Sequence, residues 1–191
     1  DPVARREGLI AVYPGGTGGL PGGRVLTWNS AHCCAYALRE KVDDVGFLSA
    51  IIDRLVKEGR VDPKRVYVTG MSNGGMMSHV AGRMLSDKVA AIAPVVGAIF
   101  GDEPPPKGPV SAFTWVVADG CKASATTQVK AATRTAWTGC KAGTDVVFDV
   151  VDNNGHAWPG GRPGREGANP PNPDYNASEA IWAFFKAHPK R

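Results

Sequence analysis

Residues 65–85 constrain the fold of this chain more than any other stretch. They start with a short apolar run, Val66, Tyr67 and Val68, which is typical of a buried strand. Gly70-Met71-Ser72-Asn73-Gly74 follows, and apolar residues then recur at helical spacing as far as Leu85. The pattern predicts a strand, a tight turn and a helix, the repeating unit of parallel α/β sheets.

The rest of the chain continues this alternation of strands and helices. Three further strands are predicted at residues 9–13, 89–98 and 145–151, and propensity alone adds a fourth at 113–117. Two amphipathic helices are predicted, one from Val45 to Gly59 and one that begins at Ser178. We therefore expect an α/β fold with a mostly parallel sheet and helices on both faces.

Length and composition limit the class of protein. A chain of 191 residues with 43% hydrophobic and 21% charged residues has room for one globular domain, so we expect a single domain over residues 1–191. No apolar run approaches the roughly 18 residues that cross a bilayer, and we expect no membrane segment. The net charge of +4 is scattered without a basic block, which gives a nucleic-acid partner little support.

Ser72 is the candidate nucleophile. A serine hydroxyl reacts only if a sharp turn presents it to a base, and the glycines of a G-x-S-x-G turn relieve the crowding there. The backbone N–H of Asn73, at the start of the next helix, is the candidate donor to the oxyanion. The alternative interpretation is an ordinary glycine-rich helix start.

His156 is the candidate base. It follows the strand predicted at 145–151, within a loop rich in glycine, proline and asparagine, and hydrolases of this architecture carry their histidine in that place. The other histidines, His32, His79 and His188, are weaker candidates, because His79 lies in the helix after Ser72 and His188 lies almost at the terminus.

The four cysteines lack the spacing of a structural zinc site. A disulfide between Cys121 and Cys140 is the favoured interpretation, with free thiols as the alternative. Such a bridge removes roughly 3 kcal/mol of chain entropy from the unfolded state and implies an oxidising compartment. For the adjacent Cys33 and Cys34 no pairing is predicted.

Several segments together resemble the polyhydroxybutyrate depolymerase and feruloyl esterase family of α/β-hydrolases, over nearly the whole chain. They are V-Y-P-G-G-T-G-G from Val12, T-W-N from Thr27, the pair Cys33 and Cys34, V-D-D-V-G-F-L from Val42, D-P-K-R-V-Y-V-T-G-M-S-N-G-G-M-M from Asp62, and G-H-A-W-P-G-G from Gly155. The resemblance implies a secreted or periplasmic enzyme that cleaves carboxylic esters with a Ser, Asp, His triad. Ser72 is then the nucleophile, His156 the base and the Asn73 amide one oxyanion donor.

The same resemblance bears on the cysteines and on one element. The family's W...DGC...GC arrangement is similar to Trp115, Asp119, Gly120, Cys121 and Cys140, which supports a bridge between the two cysteines. It also implies a helix over residues 111–119, where propensity predicts a strand, and we expect the helix.

Two family segments are missing from this sequence. One is an upstream strand that ends in the second oxyanion donor, and the other is the strand that carries the triad aspartate, which would lie between residues 110 and 111. We expect the sequence to be incomplete at both places, with a rearranged minimal hydrolase as the alternative. Asp102, next to Glu103, is the least unfavourable substitute for the acid, ahead of Asp119, Asp149 and Asp152.

Trp28 and Trp158 are candidates for the wall of a substrate pocket, since aromatic surface at a cleft suits an aromatic ring or a polyester chain. The alternative is that both side chains pack the loops.

These observations predict a secreted serine esterase that acts on polyhydroxyalkanoate polyesters or on feruloyl or acetyl esters of plant polysaccharide. It needs no metal or organic cofactor, its partner is the small or polymeric ester, and its oligomeric state is open. One alternative is a catalytically silent relative that binds polysaccharide or polyester surfaces. Another is a peptidase of the same fold.

Overall fold

The computed structural model describes residues 1–98, 120–164 and 167–190. Within these ranges the helices are α1 (Pro2–Glu7), α2 (Ala35–Arg39), α3 (Asp44–Lys57), α4 (Asn73–Met84) and α5 (Ala177–Ala187). The strands are β1 (Tyr67–Met71), β2 (Ala91–Val95), β3 (Ala123–Val129), β4 (Ala132–Thr138) and β5 (Val146–Val151). No helix in these ranges is both long and apolar enough to cross a bilayer.

The first sheet is the parallel pair that the sequence predicts around Ser72. β1 and β2 run side by side, with Tyr67 opposite Ala91 and Met71 opposite Val95. Pro94 lies within β2, which has β1 as its only strand partner in the described ranges, and an edge strand tolerates the missing N–H of proline. The predicted strand, turn and helix are thus confirmed as β1, Ser72 and α4.

Helices cover both faces of this pair. On one face Leu48 and Ile52 of α3 pack near Val68 and Ile92, and on the other Trp182 and Phe185 of α5 pack near Ala91, Tyr67 and Val3 of α1. α3 begins where the sequence predicts, because the Asp43 side chain caps it by accepting the Gly46 N–H at 2.8 Å. The expected cover on both faces is confirmed for these two strands.

The second sheet corrects the expectation of a mostly parallel architecture. β3, β4 and β5 form a separate antiparallel sheet in that order. The connection from β3 to β4 is only Lys130 and Ala131, and such a short turn can join only antiparallel strands. The strand predicted at 145–151 exists as β5, but its neighbour is β4 and its direction is antiparallel.

The strand predicted at residues 9–13 is wrong. These residues form no ladder, and Tyr13 is 77% exposed. They line, together with residues of β1, a cavity of about 390 Å³, and in the described ranges no strand pairs with them. The element predicted as a strand at 113–117 or a helix at 111–119 lies outside the described residues.

Candidate active site

Ser72 lies in a strained turn between β1 and α4. Its backbone has φ 56° and ψ −120°, a conformation that non-glycine residues rarely adopt. Its N–H donates to the carbonyl of Val95 at 2.9 Å, which ties the turn to the end of β2. The turn therefore holds one serine, partly buried, at the edge of the parallel pair where both strands end.

Glycines make this turn sterically feasible. A Cβ atom on Gly70 would lie 2.5 Å from the backbone carbon and oxygen of Gly74, so no larger residue fits there. The first turn of α4 also packs directly on the chain after β2, because a Cβ on Gly97 would lie 2.6 Å from the Gly75 carbonyl carbon. Backbone thus packs against backbone around Ser72.

The Asn73 backbone N–H is the first in α4 and has no partner within the helix, as for every helix start. The helix dipole adds partial positive charge at this end. An oxyanion formed on a substrate held by Ser72 would be stabilised there, and the role of the Asn73 amide stays a prediction.

The Asn73 side chain has a function that the sequence did not reveal. Its Oδ1 accepts the Trp28 N–H at 2.7 Å, and its Nδ2 donates to the Trp28 carbonyl at 3.1 Å. The two residues are 45 positions apart, so no local pattern marks this pairing. The backbone of Trp28, predicted as substrate wall, is thereby held beside the serine turn.

His156 lies in the loop after β5, as the sequence order predicts, and its side chain is exposed. In the described part of the chain no hydrogen bond joins it to Ser72. The loop around it is held by Asn154, whose Nδ2 donates to the carbonyls of Gly155 and Ala157 at 2.8 and 3.0 Å. The role of His156 as the base stays a prediction.

A second asparagine, 18 residues further along the chain, completes the support of this loop. Asn172 is 9% exposed; its N–H donates to Asn154 Oδ1 at 2.8 Å, and its carbonyl accepts the Gly160 N–H at 2.8 Å. The glycine- and asparagine-rich composition marked the loop, but it did not mark these two side chains as the ones that hold it.

Trp158 is fixed on the body of the protein. Its indole N–H donates to Ser178 Oγ at 3.1 Å, and the residue packs against the buried cluster of Ala132, Tyr175 and Ala177. These contacts are those of a packing residue, while its part in a substrate wall stays a prediction.

Two of the three other histidines, His79 and His188, are held by contacts within the fold. His79 is 3% exposed in α4, and burial lowers its pKa to about 4, against which a hydrogen bond with the Gly97 backbone acts. His188 caps the end of α5, with its Nδ1 2.6 Å from the Phe184 carbonyl oxygen and its Nε2 2.8 Å from Asp145 Oδ2. Both rings are thus used within the fold.

Of the acid substitutes, Asp149 and Asp152 lie within the described residues, and Asp152 is exposed directly after β5. Asp102, Glu103 and Asp119 lie outside the described residues. Asp149 is held by Arg134 in two hydrogen bonds of 2.7 Å and also accepts the Tyr175 hydroxyl. This pairing occupies both carboxylate oxygens of Asp149 and makes it a poor partner for the His156 ring.

Both cysteine pairs form disulfides, Cys121 with Cys140 and Cys33 with Cys34. The first bridge joins the chain just before β3 to the chain just after β4. In residues 1–98, 120–164 and 167–190 no group of three or more His, Cys, Asp or Glu side chains is placed to hold a metal ion.

A strained serine between a parallel strand and a helix N-terminus is the nucleophile turn of the α/β-hydrolases. The profile described as the prolyl oligopeptidase family matches residues 3–99, half of the chain. The chain belongs to this family of α/β-hydrolases, and its resemblance to the feruloyl esterase and polyhydroxybutyrate depolymerase group is confirmed by the relatives that follow.

Three relatives are named for ester hydrolysis. The chain is 38% identical over 101 residues to the bifunctional acetylxylan esterase/xylanase XynS20E of Neocallimastix patriciarum, an alignment that covers 52% of this chain and 13% of that protein. It is 39% identical over 92 residues to feruloyl esterase B of Piromyces equi, and this alignment covers 48% of this chain and 16% of that protein. It is 32% identical over 146 residues to the poly(3-hydroxybutyrate) depolymerase of Ralstonia pickettii, and this alignment covers 74% of this chain and 26% of that protein. The chain thus spans about a quarter or less of the length of these relatives.

Proposed function

We propose that this chain is a serine hydrolase of carboxylic esters, with polyhydroxyalkanoate polyesters or feruloyl or acetyl esters of plant polysaccharide as its substrates. The observation that carries the proposal is the backbone of Ser72 at the N-terminus of α4, whose φ of 56° is typical of the nucleophile turn in α/β-hydrolases. The names of the three relatives support ester rather than amide substrates.

In this proposal Ser72 Oγ attacks the ester carbonyl carbon while His156 takes the serine proton. The negative charge on the carbonyl oxygen is stabilised by the Asn73 N–H and the positive end of α4. His156 then gives its proton to the leaving alcohol, and water, activated by the same imidazole, releases the acyl group from Ser72.

In the described ranges no hydrogen bond joins a carboxylate to the His156 ring, and Asp102 is the substitute for the acid that the sequence offers. Without a carboxylate on its far nitrogen the imidazole is held less well in the required tautomer, and turnover falls by about four decades. The proposal therefore includes slow turnover as an expected property of this chain.

The two disulfides support an oxidising location, secreted or periplasmic. This inference concerns the compartment in which the folded chain is stable and rests on the cysteine pairs alone.

One experiment tests the proposed activity. The purified chain is assayed with p-nitrophenyl acetate and with a peptide p-nitroanilide, which differ in the ester or amide bond that is cleaved. We expect hydrolysis of the ester, its loss to the background rate in Ser72→Ala, and full retention in the matched control Ser49→Ala, a serine on α3 whose hydroxyl accepts from Lys88 at 2.7 Å. Ester hydrolysis that persists in Ser72→Ala would contradict the proposal.

The peptidase alternative is favoured by the description of the matched family, and the same assay decides it. Cleavage of the anilide at a rate comparable to the ester, lost in Ser72→Ala, would assign a peptidase. Absence of both activities would favour the silent relative.

A further inference from the structure

The side chain of Asn73 pairs with both main-chain polar groups of a single residue. Its Oδ1 accepts the Trp28 N–H at 2.7 Å, and its Nδ2 donates to the Trp28 carbonyl at 3.1 Å and to Ser30 Oγ at 3.4 Å. Asn73 is the residue directly after Ser72. The backbone of Trp28 is therefore one side chain away from the nucleophile turn.

The loop that contains Trp28 is also held from its other side. The Asn29 N–H donates to Asp44 Oδ2 at 2.7 Å, and Asn29 Nδ2 donates to the Val42 carbonyl at 2.9 Å. Asp44 is 3% exposed at the start of α3, and burial raises its pKa while the hydrogen bond from the Asn29 amide opposes that change. The loop that contains Trp28 is thus bonded to Asp44 at the start of α3 and to Asn73 at the start of α4. Because both are regular helices, the loop has a fixed position.

The ring of Trp28 is supported as well. It stacks on Phe47 of α3 with ring centroids 6.5 Å apart and planes inclined by 22°. Its backbone is tied to α4 and its indole to α3, while the residue as a whole keeps part of its surface exposed. A large, rigid and partly exposed aromatic surface beside a nucleophile suits contact with a flat acyl group.

We infer that Asn73 is a positioning residue that fixes Trp28 beside Ser72 and so sets the preference of the enzyme for esters with an aromatic acyl group. This inference rests on the proposed function for its kinetic consequence. The side chain acts through Trp28 and does not touch the reacting atoms, whereas the backbone N–H of the same residue is the proposed oxyanion donor.

The kinetic test is a double-mutant cycle on selectivity. The wild type, Asn73→Ala, Trp28→Ala and the double variant are assayed with the p-nitrophenyl esters of a hydroxycinnamic acid and of acetic acid, which share a leaving group. We expect the ratio of the two kcat/KM values to fall about tenfold in each single variant. In the double variant we expect no further fall, because both changes remove the same contact.

The control separates positioning from general stability. Asn176→Ala removes a side-chain hydrogen bond of the same type, the cap of α5 in which Asn176 Oδ1 accepts the Glu179 N–H at 3.1 Å. It should lower the unfolding midpoint and leave the selectivity ratio unchanged. An unchanged ratio in Asn73→Ala or in Trp28→Ala, or multiplying effects in the double variant, would overturn the inference.

A measurement independent of activity distinguishes this inference from the proposed function. The Trp28 N–H is bonded to Asn73 Oδ1, so amide hydrogen exchange at Trp28 should accelerate at least about tenfold in Asn73→Ala and not in Asn176→Ala. Unchanged exchange in an active enzyme would refute the positioning role alone. Accelerated exchange in a chain that hydrolyses neither ester would refute the proposed function and leave the contact established.

Discussion

A buried imidazole lies in the helix that follows Ser72. His79 is almost completely buried, so the charged form of its ring has lost hydration, and the positive charge of nearby Arg83 disfavours that form further. The ring is neutral in the folded protein at every pH well above 4. In the unfolded chain it takes up a proton at its ordinary pKa of 6.5.

This difference makes the stability depend on pH. Between pH 6.5 and 4 the unfolded chain binds a proton at His79 that the native protein does not bind, so acidification favours unfolding. Above pH 6.5 the His79 ring is neutral in both states and does not lower the free energy of unfolding. Between pH 6.5 and pH 4 its protonation in the unfolded chain lowers that free energy by roughly 3 kcal/mol. We expect the free energy of unfolding, measured with urea from pH 4.5 to 7.5, to fall more steeply in the wild type than in His79→Gln. Parallel curves for the two proteins would contradict this account.

At the scale of single residues, the sequence predicts best what depends on neighbours in the chain. The turn at Ser72 could be predicted because strand, glycine, serine and helix are consecutive, and the structure keeps this order, while the role of Ser72 stays a prediction. The clamp between Asn73 and Trp28 and the support of the His156 loop by Asn172 depend on residues that are 45 and 18 positions apart. Such contacts follow only from the fold.

At the scale of elements, the contact between α4 and the chain just after β2 decides how closely the turn at Ser72 is held. Gly75 at the start of the helix meets Gly97 just beyond the strand, and neither has room for a side chain. Because these are backbone contacts, the neighbouring atoms cannot rotate away as a side chain could. α4 is thereby fixed to β2, the strand whose Val95 carbonyl accepts the Ser72 N–H.

Gly97→Ala should therefore destabilise the protein by roughly 2 kcal/mol, since the added methyl group displaces α4 from β2. The matched control is Gly74→Ala, a change of the same kind in the same turn, where a Cβ would meet nothing within 4 Å. That variant should be neutral or more stable by up to about 1 kcal/mol, because alanine is the better helix former. Urea denaturation of both variants measures the difference, and equal effects would contradict the close-packing account.

The sequence predicts an element where apolar residues recur with a clear period. This explains why the hairpin of β3 and β4 was not predicted. α3 and α5 have such faces and were found, whereas the hairpin of β3 and β4 has none, since β3 exposes six of its seven residues. The disulfide between Cys121 and Cys140 and the Arg134–Asp149 pair hold that hairpin in place of an apolar face. Residues 9–13 show the opposite case, because an apolar run forms no strand without a neighbouring strand.

At the scale of the whole molecule, α5 connects the two sheets. Its Trp182 and Phe185 pack with Ala91 of the parallel pair, and its Ile181 packs against both this cluster and the cluster around Ala132 of the antiparallel sheet. The serine turn follows a strand of the parallel pair, and the His156 loop follows a strand of the antiparallel sheet. Both sheets pack against α5, which therefore links the two segments. The alternation of strands and helices predicted the α/β class, but it did not predict the division into two sheets, because strand direction depends on connections that periodicity does not encode.

In the proposed mechanism the turn at Ser72 presents an activated hydroxyl. A fluorophosphonate reagent labels a serine only when its hydroxyl is activated, and intact mass followed by peptide mapping locates the label. We predict one adduct per chain on Ser72 in the wild type, none in Ser72→Ala, and much slower labelling in His156→Gln, since the imidazole must take the serine proton. An unlabelled wild type, or equal labelling of the wild type and Ser72→Ala, would contradict the account.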